Sequence, residues 1–454
     1  MIKNIFKNSF FQLVTIPLVF LIILIFSYFN YGKFLPISYW DEFLWVGRSY
    51  FFDFFITRDF NDKVWQSYEA YDQPKLAEYV YGAWIYPLYI IEKTKQKQSF
   101  SYTQFLIKNG FYEDNENFKN NYSKLKDNIM LLKIDEKEDG YVKDWIEKYG
   151  NKIIKPLNLI YYARLLNIFL LAGAVILAYY IAFYYKGLIF AIFFSFFYGF
   201  NSLIISTGLK AHSEALFLFT FNAAIFFMIN YFIKNRRFIY LLLFSLFSSL
   251  SMSTKLNGGF LLVIFLMANF ILLIFCKEKI KIFLHSLIFL LIGLIIFISL
   301  NPFTYSNPLK NTLFMFENRF KTAVFQSKVF YHSFISQDQA IKKIFENFYF
   351  SEKSQYFNKI YFIKSKKYGL YFFVLFIIGF ISLLKDIFKK NLVALIMFVS
   401  FLIILFFMNY YLILDWDRYY VHLVLFFVFF QLNGLFVLFK LFFQSIFPQI
   451  FFQK

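Results

Sequence analysis

Two stretches of this chain hold carboxylates in settings that suit proton transfer. In Ser38-Tyr39-Trp40-Asp41-Glu42, adjacent acids stand shortly after an apolar run. In Tyr71-Asp72-Gln73-Pro74-Lys75-Leu76-Ala77-Glu78-Tyr79, an acid precedes a Pro turn and then the aromatic stretch Val80–Ile91. A carboxylate near apolar surface can have a raised pKa, which would suit a general base. Asp41 and Asp72 can converge from two segments of one loop. The ordinary alternative is a pair of solvated acids in an exposed loop; the aromatic neighbours weigh against it. Between the two stretches, Phe43–Phe55 mixes aromatics with Arg48 and Asp53, as expected of a helix lying in a membrane interface.

Further polar groups sit at the ends of later apolar blocks. They are Arg164 in Tyr161-Tyr162-Ala163-Arg164, the run Lys210-Ala211-His212-Ser213-Glu214, the run Ser253-Thr254-Lys255-Leu256-Asn257-Gly258-Gly259, and Asp415-Trp416-Asp417-Arg418-Tyr419-Tyr420. Ionisable residues there either serve a site or snorkel to the interface; their shared side argues for a site. Lys255 and Arg418 are suited to neutralising a phosphate, Arg in bidentate fashion. Asp415-Trp416-Asp417 has the pattern of the D-x-D of metal–nucleotide transferases, but no soluble fold surrounds it and it carries little weight. The four histidines are scattered and Cys276 is alone, so neither a His- or Cys-based metal site nor an internal disulfide is expected. There is no G-x-x-x-x-G-K-[ST] and no H-E-x-x-H.

The elements that must position these groups are transmembrane helices. Of 454 residues, 59% are hydrophobic, 25% aromatic and only 17% charged, against about 45–50% apolar and about a quarter charged in soluble chains. The apolar residues form blocks, which excludes an ordinary soluble enzyme and predicts an all-α polytopic membrane protein. Ten spans are expected, at 10–29, 159–182, 188–206, 213–233, 238–253, 258–276, 282–300, 369–385, 392–413 and 419–440. The first, lacking a small-residue cleavage site, is read as a retained span. The domain plan is 1–29 (N-terminus and first span), 30–158 (outer catalytic loop), 159–300 (spans two to seven), 301–368 (basic outer loop) and 369–454 (last three spans and tail). Within the first loop, 111–158 is charged in both signs and reads as a small helical insertion without a catalytic part.

Charge sets the orientation. One set of short loops holds Lys186, Lys234, Arg236, Arg237, Lys277, Lys279, Lys281, Lys385, Lys389 and Lys390 against only Glu278 and Asp386. The positive-inside rule makes these loops and both termini cytoplasmic, in a plasma or inner membrane. The net charge of +19 is therefore mostly a topology signal, and nucleic acid is not an expected partner. All six Trp residues fall on the outer side, as an aromatic belt or as platforms for sugar rings. Segment 301–368, opening Asn301-Pro302, is basic on the outer side; it either holds an anionic lipid head or phosphate or escapes the rule through its length. The cytoplasmic loops are too short for a nucleotide-binding domain, which leaves a lipid-carried donor reaching the outer surface.

In these features the chain resembles the membrane-embedded GT-C glycosyltransferases, most closely the protein O-mannosyltransferase / aminoarabinose-transferase branch. Trp40-Asp41-Glu42 matches that family's acidic pair after the first span, and Tyr71-Asp72-Gln73-Pro74-Lys75-Leu76 is similar to its second loop motif, with a single Pro where relatives often have two. Arg164 matches the Arg opening span two, and Glu214 the acid opening span four. Ser253–Gly258 and Asn301-Pro302 look like family signatures, and Arg418-Tyr419 resembles the Arg-Tyr of the last outer turn. The resemblance implies transfer of a sugar from a polyprenyl-phosphate donor to a hydroxyl of a lipid, glycan or protein acceptor, with inversion. It implies Asp41 as base, Glu42 and Asp72 in support, and Arg418, Lys255 and Arg164 for the donor phosphate. Lys210, Lys75, Glu214 and Tyr419 are further candidates. Some relatives bind a divalent metal ion near the acids; no cofactor is otherwise implied. The competing readings are a lipid-linked sugar flippase, with midplane charges and often an internal repeat, and an oligosaccharyltransferase or ligase with a larger outer domain.

Overall fold

A computed structural model describes residues 9–30, 39–96, 99–111, 138–275, 278–351, 353 and 369–446, some of them, including Trp40 and Trp145, by backbone alone. The charged stretch 112–137, Cys276 and both termini lie outside the described residues. Within them the chain is helical, with one isolated antiparallel bridge, Phe334 to Leu414. Six stretches are long and apolar enough to cross a membrane, and four shorter apolar helices accompany them. The fold is an all-α polytopic membrane bundle.

The apolar helices are α1 (Ser9–Asn30), then, after the helices of the first loop, among them α2 (Tyr39–Gly47) and α3 (Leu76–Gln96), a long α4 (Glu138–Lys186) and a short α5 (Leu188–Gly199). There follow α6 (Glu214–Ile233), α7 (Phe238–Thr254), α8 (Phe260–Phe275) and α9 (Lys279–Ser299). Segment 301–353 folds as α10 (Pro308–Val329), α11 (Ala340–Phe345) and a wide π turn (Glu346–Phe350). The bundle ends with α12 (Gly369–Phe388), α13 (Leu392–Tyr411) and α14 (Val424–Ile446). The span expected at 188–206 is two helices. The Asn201 side chain accepts from the Leu203 and Ile204 amides and starts a new helix, Ser202–Gly208, as Asn does at an N-cap.

Lipid offers little hydrophobic drive between helices, so close packing and interhelical polar contacts hold such bundles together. At the α12–α14 crossing, a Cβ added to Gly379 would lie 1.8 Å from the Phe430 carbonyl oxygen, and one on Gly434 would lie 2.0 Å from that of Leu375. Asn433 donates to the Gly379 carbonyl (2.8 Å), and Asn222 on α6 donates to the Ala174 carbonyl on α4 (3.0 Å). The first loop packs on one end of the bundle through Trp45, Val46, Tyr81, Ile85, Tyr102 and Phe105, which meet Ile160, Ala163 and Leu216. Segment 301–353 caps the same end. Its Asn301 side chain accepts from the Lys75 amide (3.1 Å) and donates to the Phe297 carbonyl (2.6 Å). The segment expected as a loop is therefore largely helical and braced against the first loop.

Candidate active site

Asp41 and Glu42 lie in the first turn of α2, where the helix dipole favours negative charge. Successive helical residues point about 100° apart, so the two acids face different ways. Glu42 turns inward. Its oxygens accept from Arg164 Nε (2.7 Å) and Nη2 (2.6 Å), and from the Ala211 amide (2.6 Å), with both side chains fully buried. Asp41 is partly exposed and accepts from Arg418 Nη1 at 2.7 Å. Burial alone would raise the Asp41 pKa, but Arg418, His212 and Lys210 outweigh it and hold the carboxyl at about 2.

Asp72 closes a short helix, Tyr68–Asp72, that Pro74 prevents from continuing. Its carboxylate accepts from Tyr68 (3.1 Å) and Arg48 (3.3 Å), and Arg319 Nη1 stands 3.5 Å away. Burial pushes against its charge, yet Arg319, Arg48 and Lys75 hold its pKa below the ordinary value. Lys255 sits in extended backbone between α7 and the turn Leu256–Gly259, and its ammonium meets Glu214, the first residue of α6, at 2.5 Å. Gly258 allows that turn, since a Cβ there would lie 2.3 Å from the Met252 amide nitrogen.

These groups surround one cavity with about 880 Å³ of empty space, its open mouth included. Its lining includes Trp45, Asp72, Glu214, Lys255, Arg319, Arg418 and Tyr419, with Met408, Tyr411 and Leu412 adding an apolar wall. Arg319 donates to the Tyr419 hydroxyl (3.3 Å), and the Arg418 guanidinium lies 4.7 Å from the Trp416 ring centre. The cavity thus combines a greasy wall, cations already paired with acids, and an aromatic side chain, Trp45. It lies where α6 begins and α7 and α13 end, at the bundle rim.

Of the residues singled out from sequence, Asp72, Arg418, Lys255, Glu214 and Tyr419 line the cavity, and Asp41 reaches it through Arg418. Glu42 and Arg164 form their buried pair beside it. Lys75 is buried against Glu78 (2.7 Å), the Glu69 carbonyl (2.5 Å) and the Phe51 ring (4.7 Å). Lys210 makes no ion pair among the described residues, and its carbonyl accepts from Asn167. His212 is buried with Nδ1 3.6 Å from Glu214, and burial lowers its pKa. Sequence reasoning passed over Arg319; its only signal was the basic surplus of 301–368. Among the tryptophans, Trp65 is core against Phe51 and Phe60, and Trp84 stacks on Tyr162 and donates to its carbonyl (2.8 Å). No group of three or more His, Cys, Asp or Glu among the described residues is placed to hold a metal ion.

Residues 138–308 match the family model for dolichyl-phosphate-mannose-protein mannosyltransferase. The matched region runs from α4 to the start of α10 and includes Arg164, Glu214, Lys255 and Asn301-Pro302. Asp41, Asp72 and Arg418 lie outside it. No curated protein and no solved structure matches the chain significantly. Over that region, the similarity agrees with the resemblance read from the motifs.

Proposed function

We propose that this membrane glycosyltransferase moves a sugar from a polyprenyl-phosphate donor to an acceptor hydroxyl in a single inverting displacement, with Asp41 as general base. The convergence of Asp72, Arg418, Arg319 and Lys255 on one part-apolar cavity, with Asp41 joined to it through Arg418, carries the proposal. The Asp41 carboxylate takes the hydroxyl proton as the acceptor oxygen bonds to the anomeric carbon. The bond from that carbon to the phosphate oxygen breaks, and its electron pair leaves with the polyprenyl phosphate. Charge grows on that phosphate, and preorganised cations stabilise it. Arg418 offers five donors, enough to hold a phosphate oxygen beside Asp41. Lys255 and Arg319 stand on other walls of the same cavity.

A carboxylate with a pKa of about 2 is a weak base. The donor corrects this. Its phosphate shares the Arg418 guanidinium and brings negative charge close to Asp41, and both effects raise a carboxyl pKa. Asp41 gains basicity when the substrate is in place.

The side follows from charge. Basic residues gather in the short connections at the bundle end away from the cavity, from Lys186 through Arg236 and Lys281 to Lys390, which supports cytoplasmic loops there and a cavity opening outward. The rim position of the charges favours an enzyme over a transporter with midplane charges.

The test uses the purified protein in proteoliposomes with polyprenyl-phosphate mannose, glucose and aminoarabinose, assayed with pooled peptide, glycan and lipid acceptors. Sugar transfer with release of polyprenyl phosphate is expected for one donor, and Asp41→Asn should cut it by about 10²–10⁴. Equal transfer by the Asn variant, or none with any donor, would defeat the proposal.

A further inference from the structure

The Asp415-Trp416-Asp417 triplet has no part in the reaction drawn above, yet its side chains are heavily engaged. Asp415 Oδ1 accepts from Asn347 (2.6 Å) and from the Tyr420 hydroxyl (2.8 Å). Its Oδ2 lies 3.2 Å from Lys353 and 3.6 Å from Lys343. Lys353 also donates to the Asp415 carbonyl (3.1 Å) and to Asp417 (3.3 Å). A divalent cation would have to displace two ammonium groups here, so the triplet is not built as a D-x-D metal site.

The backbone repeats the attachment. The Ile335 amide donates to the Ile413 carbonyl (2.9 Å), and the Asp415 amide to the Ser333 carbonyl (2.7 Å). Asn347, fully buried, comes from the π turn Glu346–Phe350, a rare backbone feature that recurs at functional sites. The result is a clamp between segment 333–353 and the turn 413–420. That turn carries Arg418 and Tyr419 into the cavity, and Trp416 lies under the Arg418 guanidinium, stacked on Tyr419 at 5.8 Å.

We propose that Asp415 is a positioning residue for Arg418: with Asn347, Tyr420, Lys343 and Lys353 it locks the last turn so that the guanidinium is held over the cavity for a phosphate. This rests on the phosphate reading of the cavity. Asp415 touches no substrate; it acts only through Arg418.

A double-mutant cycle tests it, with binding of farnesyl phosphate, a short isoprenyl phosphate, to the full-length protein in detergent as the readout. Asp415→Ala should weaken binding about tenfold when Arg418 is present, and by less than about twofold in an Arg418→Ala background, the margin within which independent effects add. Asp415→Asn, which keeps an acceptor for Asn347 and Tyr420, should recover part of the loss. If Asp415→Ala does not fold, Lys353→Met and Lys343→Met on the rim replace it, with the same dependence on Arg418. Additive losses, or full affinity in a folded Asp415→Ala, overturn the proposal. Unchanged affinity in Arg418→Ala alone would instead remove the phosphate reading, and this proposal with it.

Discussion

Glu42 and Arg164 form a two-point ion pair with both side chains fully buried, one residue from the partly exposed Asp41. The adjacent acids therefore have opposite settings. Removing one partner of a buried pair leaves an uncompensated charge, at a cost of about 3–5 kcal/mol. Glu42→Ala should lower the detergent melting temperature sharply, and activity should fall with the folded fraction. Normal stability in that variant would show that the pair is not a structural tie.

Asp41→Asn should behave differently. Its side chain is partly exposed and its main partner is Arg418, so the melting temperature should fall far less than in Glu42→Ala. Transfer should drop by about 10²–10⁴, the usual contribution of a general base. A size-exclusion profile and a melt on the same preparation as the transfer assay separate this outcome from misfolding.

Arg418→Ala removes the main cation that depresses the Asp41 pKa. The free-enzyme pKa should rise from about 2, and the acid limb of kcat/KM should move to higher pH. Donor KM should rise as well. Arg418→Lys keeps a charge without the planar fork and should restore the limb more fully than the affinity. An acid limb unmoved in Arg418→Ala would remove the pairing as the source of the depressed pKa.

Asp41 and Asp72 both have folded pKa values below their unfolded ones. Such groups add stability above the unfolded pKa, near 4, and the contribution is lost as pH falls through the folded pKa. Melting temperature should thus fall between pH 4 and about 2, and less steeply in the Asp41→Asn Asp72→Asn double variant. Identical slopes for the two proteins would rule out this linkage.

Gly379→Ala should be destabilising, because its Cβ would overlap the Phe430 carbonyl unless α12 and α14 separate. Loss of monodisperse protein on purification is the expected result, and a normal melt would refute the tight crossing.

The chain's helices were legible because apolar blocks long enough to span lipid have few other uses; Asn201 escaped notice because one capping side chain interrupts an otherwise continuous block. Asp41 and Asp72 were legible as acids beside aromatic, membrane-adjacent segments. The separation of Glu42 from Asp41 was not read, although it follows from the turn angle of a helix once α2 is known to exist. Arg319 was hidden because its meaning comes from Asp72 and Tyr419, which lie far from it in sequence. The clamp on Asp415 was hidden for the same reason, and the triplet's similarity to a metal motif pointed elsewhere.

Asp41 and Arg418 stand 377 positions apart. No stalled nascent chain and no fragment cut between them carries both the proton acceptor and its counterion. Under the proposed reaction, the base and its counterion come together only once the chain has been made through the turn after α13.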